Sequence, residues 1–137
     1  MKTFDVLDIS GDAGLRAYGQ TLQELFVNAA MGMYSLITDP EAIREERDIT
    51  VDIESLSLDG LLVAWLNELI FHFDAYGFIG SRIVITEITH TLKAIVSGED
   101  FDPERHERRL LIKAATYHML KIGKEDDQWS VNIIFDI

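Results

Sequence analysis

From Leu58 to Ala75 the chain is apolar on nearly every side of a helix. Leu61, Leu62, Ala64, Trp65, Leu66, Leu69, Ile70, Phe71 and Phe73 leave no broad polar face. A helix of this kind is the central element of a core, or it is packed on two faces. Ser57 supplies an N-cap and Gly77 a C-terminal stop. The rest of the sequence must provide the layers that cover it.

Most of those layers read as strands. Phe4 to Ile9 alternates, and Leu15 to Tyr18 follows as a second strand that can pair with it. Asp48 to Glu54 alternates cleanly, with Ile49, Val51 and Ile53 inward. Arg82 to Ile88 and Leu92 to Ser97 form two more strands around Thr89-His90-Thr91, and Gly98 to Glu107 is a polar loop. Leu110 to Ile122 fits either a helix or a strand. The strand is preferred, because Gly123 to Asp127 then makes a hairpin turn into a final strand. One further helix begins at Thr21, whose hydroxyl and Glu24 form a capping box, and ends before Pro40. Gly32 inside that helix implies a close approach by another element. Consecutive strands at the end of the chain pair antiparallel, so the fold class is α+β: mostly antiparallel sheet packed with two main helices. At 137 residues the chain is one domain, 1–137. A short echo between Asp8 to Gly14 and Asp52 to Gly60 hints at internal duplication.

The two ends carry the candidate chemistry. Ser10-Gly11-Asp12-Ala13-Gly14 is a glycine-flanked bend that aims Asp12 outward. Trp129 to Ile137 stays apolar almost to the last atom, whereas termini are usually polar and frayed, so the tail is held inside a sheet. Asp12, Asp136 and the terminal carboxylate of Ile137 are expected to converge on one hard cation, because their mutual repulsion needs a positive charge. Read as isolated residues, Asp12 is a turn residue and Asp136 a solvated strand end. The oxygen set suits Ca²⁺, with Mg²⁺ or Mn²⁺ as alternatives.

Other chemistry is sparse. His72, His90, His106 and His118 show no helical i, i+4 pair. His72 reads as a packed residue, His106 as a solvated one in a charged loop, and His118 as one that hydrogen-bonds a neighbouring strand. Arg105, Arg108, Arg109 and Lys113 make a basic cluster that is either a solvated rim or a dock for an acidic partner. There is no Cys, no nucleophile motif and no phosphate-binding glycine loop. A formal charge of −12 disfavours tight direct binding of RNA or DNA and favours cations or basic protein surfaces. The absence of a signal-peptide pattern, of a membrane-spanning run and of cysteine points to the cytoplasm. Homo-oligomerisation is left open.

In order along the chain, several segments resemble the archease family. They are Ile9-Ser10-Gly11-Asp12-Ala13-Gly14-Leu15 with Tyr18-Gly19, Trp65 to Leu69, Gly98 to Glu107, Lys113-Ala114-Ala115-Thr116-Tyr117-His118, and Phe135-Asp136-Ile137. The resemblance implies a non-enzymatic accessory protein of the RtcB-type RNA ligase. Such a protein promotes guanylylation of the ligase and multiple turnover in tRNA splicing and RNA repair. It also implies a metal site at Asp12, Asp136 and Ile137. The chain departs from the family pattern where Ile9 replaces a histidine, Ser10 a threonine and Gly11 an alanine. Two other readings use the same residues: a stand-alone metal-dependent phosphoester hydrolase employing His118, and a chaperone-like interaction module with purely structural aspartates.

Overall fold

The computed structural model describes residues 2–137. Helix α1 spans Leu22–Ile37 and α2 spans Leu58–Tyr76. Strands β1 (Phe4–Leu7), β2 (Ala13–Gly19) and β8 (Gln128–Asp136) form one antiparallel sheet, with β6 (Ala114–Ala115) and β7 (Lys121–Glu125) both on the far edge of β8. Strands β3 (Arg47–Glu54), β4 (Phe78–Ile88) and β5 (Thr91–Asp100) form a second sheet in the order β3-β5-β4. Helix α1 packs on β1, β2 and β8 and also on β4, while α2 packs on the second sheet and on β6. The fold class is α+β, as the strand-rich tail predicts.

Local chemistry explains the helix ends. The Thr21 hydroxyl accepts from the Glu24 amide at 3.1 Å, and the Ser57 hydroxyl accepts from the Gly60 amide at 3.0 Å. Gly77, at φ 68, closes α2 in the left-handed region. Gly32 meets the anticipated close approach: an added Cβ would lie 3.1 Å from both Leu15 Cδ2 and Phe4 Cγ. Over its first turns the apolar helix is largely buried, with Leu61, Leu62, Trp65 and Leu66 closed off and Asp59 left exposed. Trp65 Nε1 donates to the Phe26 carbonyl at 3.0 Å, which satisfies the one polar atom of that side chain and ties α2 to α1. Only toward its C-terminus does α2 emerge, exposing Phe71 and Tyr76.

The proposed strand over Leu110 to Ile122 is broken. Ala114 faces Asp136 but Lys121 faces Asn132. The edge therefore advances seven residues while β8 advances four, and the excess is extruded as a loop around Tyr117, His118 and Met119. Met119 sits at φ 55. Leu110 is not in a ladder either. The amides of Arg109 and Leu110 donate to the carbonyls of Ile37 and Leu36, so this segment covers the end of α1. The turn into β8 is also tighter than expected. Only Asp126 (φ 51) and Asp127 (φ 61) make it, with both residues in the left-handed region as a type I′ turn requires. The duplication hint gains no structural parallel, since Asp12 leads into a strand and Asp59 lies in the first turn of α2.

Tyr34 is wholly buried, and its hydroxyl has no hydrogen-bond partner; it lies beside Gly80 of β4. Burial drives its pKa well above the ordinary value, and the nearby Gly80 amide only partly opposes this. Deleting an unpartnered buried hydroxyl removes a desolvation cost of roughly 1–3 kcal/mol. Tyr34→Phe is therefore expected to leave stability unchanged or raise it by about 1 kcal/mol, read by urea unfolding. A loss of similar size would show that the hydroxyl is satisfied in solution.

Candidate metal centre

The bend before β2 is a four-residue turn from Ile9 to Asp12. The Asp12 amide donates to the Ile9 carbonyl at 3.3 Å, and Gly11 takes φ 81 at the third position. A type II turn demands that positive φ, and glycine adopts it without strain. The turn delivers the chain into β2 directly at Ala13, which pairs with Phe135 of β8. Asp12 immediately precedes Ala13 and Asp136 immediately follows Phe135, so the two residues stand at the same end of the β2–β8 pair. Asp136 is held from its other side as well: it pairs with Ala114, and its carbonyl accepts from the Lys113 amide at 2.8 Å. Ile137 follows immediately and is partly exposed. The front bend and the tail thus meet at one end of the first sheet.

Two carboxylates at the same end of a strand pair repel one another. Neither Asp12 nor Asp136 has an ion-pair partner among the described residues. The donor set is all oxygen and exposed to solvent, which suits a hard cation that keeps some of its waters. No group of three or more His, Asp or Glu side chains is arranged to hold a metal among the described residues.

The histidines lie elsewhere. His72 Nε2 is 3.3 Å from Glu68 on α2, as suits a half-buried packed residue. His118 sits in the extruded loop and is exposed; its amide donates to the Thr116 hydroxyl at 3.2 Å, so no neighbouring strand engages it. His106 is the clear correction. It is 3% exposed, not solvated, and it faces Glu99, which is also 3% exposed. His106 Nδ1 accepts from the Asp102 amide at 2.8 Å, so the proton rests on Nε2 and is donated to Glu99 Oε2 at 3.1 Å. The same oxygen accepts from the Arg44 amide at 2.6 Å, and Arg105 pairs with Glu99 Oε1. Burial opposes ionisation of Glu99. The Arg105 guanidinium, the Arg44 amide and His106 outweigh it and pull the carboxyl down to about 2.

Three of the four residues of the basic cluster are engaged within the fold, while Lys113 is exposed and only its backbone amide is bonded, to the Asp136 carbonyl. Arg105 serves Glu99. Arg108 lies 5.6 Å from the centroid of the Phe101 ring. Arg109 donates to the Ser35 carbonyl at 2.8 Å and to the Thr38 carbonyl at 3.2 Å. Helix α1 has no basic residue in its last turn, so this remote arginine provides the cation its C-terminus lacks. Alternation and spacing carry no sign of these long-range partners.

The model of the Archease protein family (MTH1598/TM1083) matches residues 4–137. The chain belongs to the archease family. Protein archease of Sulfurisphaera tokodaii is 34% identical over 139 residues and is covered, as is this chain, over 100% of its length. Protein archease of Methanosarcina acetivorans is 35% identical over 141 residues, covering 99% of this chain and 97% of the relative. Among solved structures, the solution structure of Methanobacterium thermoautotrophicum protein 1598 superposes with a TM-score of 0.83 at 35% identity, over 100% of both chains. The crystal structure of an archease described as a possible chaperone, from Thermotoga maritima, superposes at 0.70 with 19% identity, over 96% of this chain and 94% of that one. At that identity the second likeness speaks for the archease fold alone. In the present archease chain Ile9 packs against β2. Its Cδ1 lies 2.7 Å from where a Cβ on Gly14 would stand.

Proposed function

We propose that this chain activates an RtcB-type RNA ligase and that Asp12, Asp136 and the terminal carboxylate of Ile137 hold a divalent cation, Ca²⁺ in the first instance. The observation that supports this reading is the β2–β8 register, which ends at Ala13 and Phe135 and so leaves the neighbouring Asp12 and Asp136 at the same end of one strand pair. Family membership supports it. When bound, the ion would supply positive charge to phosphoryl oxygens presented by the partner. The protein's own residues position that charge: the type II turn aims Asp12, and the Lys113 amide pins the strand end that carries Asp136.

The surroundings suit a protein partner. Leu111 and Tyr117 are each 62% exposed and Met119 is 70% exposed, all within the segment that brackets β6 and Asp136. Large apolar side chains left in water on both sides of a polar site are what docking surfaces present. The net charge of −12 complements the basic channel that any RNA-binding ligase must have. Among the described residues no helix is long and apolar enough to cross a membrane.

The test is a reconstituted ligation with the RtcB-type ligase from the same genome, following guanylylation and turnover with and without this protein. Stimulation is expected, and it should weaken with added salt over a range that spares the ligase itself. An equal yield with and without the protein would remove the proposal.

A further inference from the structure

The outer face of the first sheet carries a groove of about 560 Å³, lined by β2, β7 and β8 and the turn between the last two. Two rows of directly opposed residues cross it. Arg16 of β2, Asn132 of β8 and Lys121 of β7 make one row; Tyr18, Ser130 and Gly123 make the next. Lys124 also lines the groove. In a chain with twice as many acidic as basic residues this grouping matters. Among the described residues Arg16 and Lys121 make no ion pair, and Lys124 lies 5.7 Å from the centroid of the Trp129 ring. Asp5, the acid in line with Arg16, is taken by Lys2 at 2.9 Å and by the Tyr18 hydroxyl at 2.9 Å. Arg16 is itself oriented, since its Nε donates to Asn132 Oδ1 at 2.6 Å, which leaves its terminal nitrogens available.

We infer that this groove binds a compact phosphate ester, with the phosphoryl group between Arg16 and Lys121. Those residues are two strand spacings apart, about 10 Å between backbones. Two long cationic side chains reaching inward across that gap converge on one anion. A guanidinium fork and an ammonium are complementary to phosphate. Gly123 forms open floor, as nothing lies within 4 Å of where its Cβ would stand. The volume is that of a small-molecule site. Glu125 and Asp126 line the other end of the groove. Their charge repels a continuing phosphate backbone, so the occupant is a single phosphorylated unit and not a strand. The groove row at Asn132 is four residues, about 13 Å, along β8 from Asp136, so this inference stands apart from the metal reading and from the ligase reading.

The experiment is an amide-resolved NMR titration of the intact protein with inorganic phosphate, GMP and an unphosphorylated-end RNA pentamer. Inorganic phosphate and GMP are expected to shift the Gly123, Ser130 and Asn132 amides saturably. Arg16→Glu with Lys121→Glu should weaken GMP at least about tenfold. Gly123→Phe, which fills the floor without touching a charge, should weaken it similarly with the spectrum otherwise intact. No shift at about 10 mM GMP, or shifts that survive the double charge reversal, would overturn the inference. So would inorganic phosphate leaving these amides unmoved while GMP shifts them, because recognition would then lie in the base. A pentamer that binds more tightly than GMP would overturn it too, in favour of a strand-binding face.

Discussion

Asp12→Ala and Asp136→Ala should each reduce stimulation of the ligase to the level seen without the protein, while the fold persists. The two side chains are exposed and unpaired, so neither truncation opens a cavity or strands a buried partner. Removing one of two neighbouring like charges should even relieve repulsion in the metal-free protein by a few tenths of a kcal/mol, so its melting temperature should hold or rise slightly. The metal-dependent behaviour should differ sharply. A ligand that binds only the folded state at a hundred times its Kd stabilises by about 2.7 kcal/mol. Wild type should therefore melt higher with millimolar Ca²⁺, and neither variant should. Extending the chain by two residues beyond Ile137 moves the terminal carboxylate away from the site and should blunt the same shift. These readouts separate metal binding from activation. Variants that lose the Ca²⁺ shift yet stimulate the ligase fully would leave the aspartates without a role in activation. Variants that melt and stimulate like wild type would dispose of the metal centre itself.

Glu99→Gln should be the most damaging conservative change in the molecule. The carboxylate is 3% exposed and receives Arg105, the Arg44 amide and His106 at once. A neutral amide cannot accept from all three, and its own NH₂ would face a donor. Removing one partner of a buried ion pair costs on the order of 3–5 kcal/mol. For a chain of this size that is a drop of roughly 10 °C or more in melting temperature. The pH dependence is a second signature. Glu99 ionises near 2 when folded, against an ordinary 4.5. The unfolded chain therefore binds the proton first as pH falls. The stabilisation, on the order of 3 kcal/mol, is complete above about pH 4.5 and fades as pH falls toward 2. Wild type should lose stability across that window, and Glu99→Gln should lose much less, so the two curves converge at acid pH. Parallel curves from pH 6 to 2.5 would show that Glu99 is not the group responsible. The lock also bears on the candidate metal centre. It fixes the 101–109 segment, whose continuation covers the end of α1 and then lays β6 against Asp136. Faster hydrogen exchange at Lys113 should accompany the variant.

What could be read before any coordinates were features of short range. The caps at Thr21 and Ser57, the stop at Gly77 and the alternation of Ile49, Val51 and Ile53 depend on residues a few positions apart. Each was found where local chemistry places it. The apolar tail was equally informative. A strand that stays hydrophobic to Phe135 has to be inside a sheet, and placing it there brings Asp136 and the chain end to a defined location.

Other features were decided only by the tertiary structure, because their causes are distant in sequence. Leu110 to Ile122 satisfied helix and strand periodicity alike. Its actual course is set by unpaired carbonyls at the end of α1 and by a shift in register along β8, neither visible in the segment itself. His106 looked solvated because its neighbours are charged. Yet Glu99 and Arg105 pair with each other and bury it, turning a charged stretch into an internal lock. The arginines that resembled an exposed rim are bound to a helix end, an aromatic ring and a carboxylate. By itself the sequence determined the two helices with their caps, most of the strands, and the carboxylates that stand near the two ends of the chain. The β2–β8 register determined that those ends meet, because strand pairing is a choice among distant partners that only the packed whole can make.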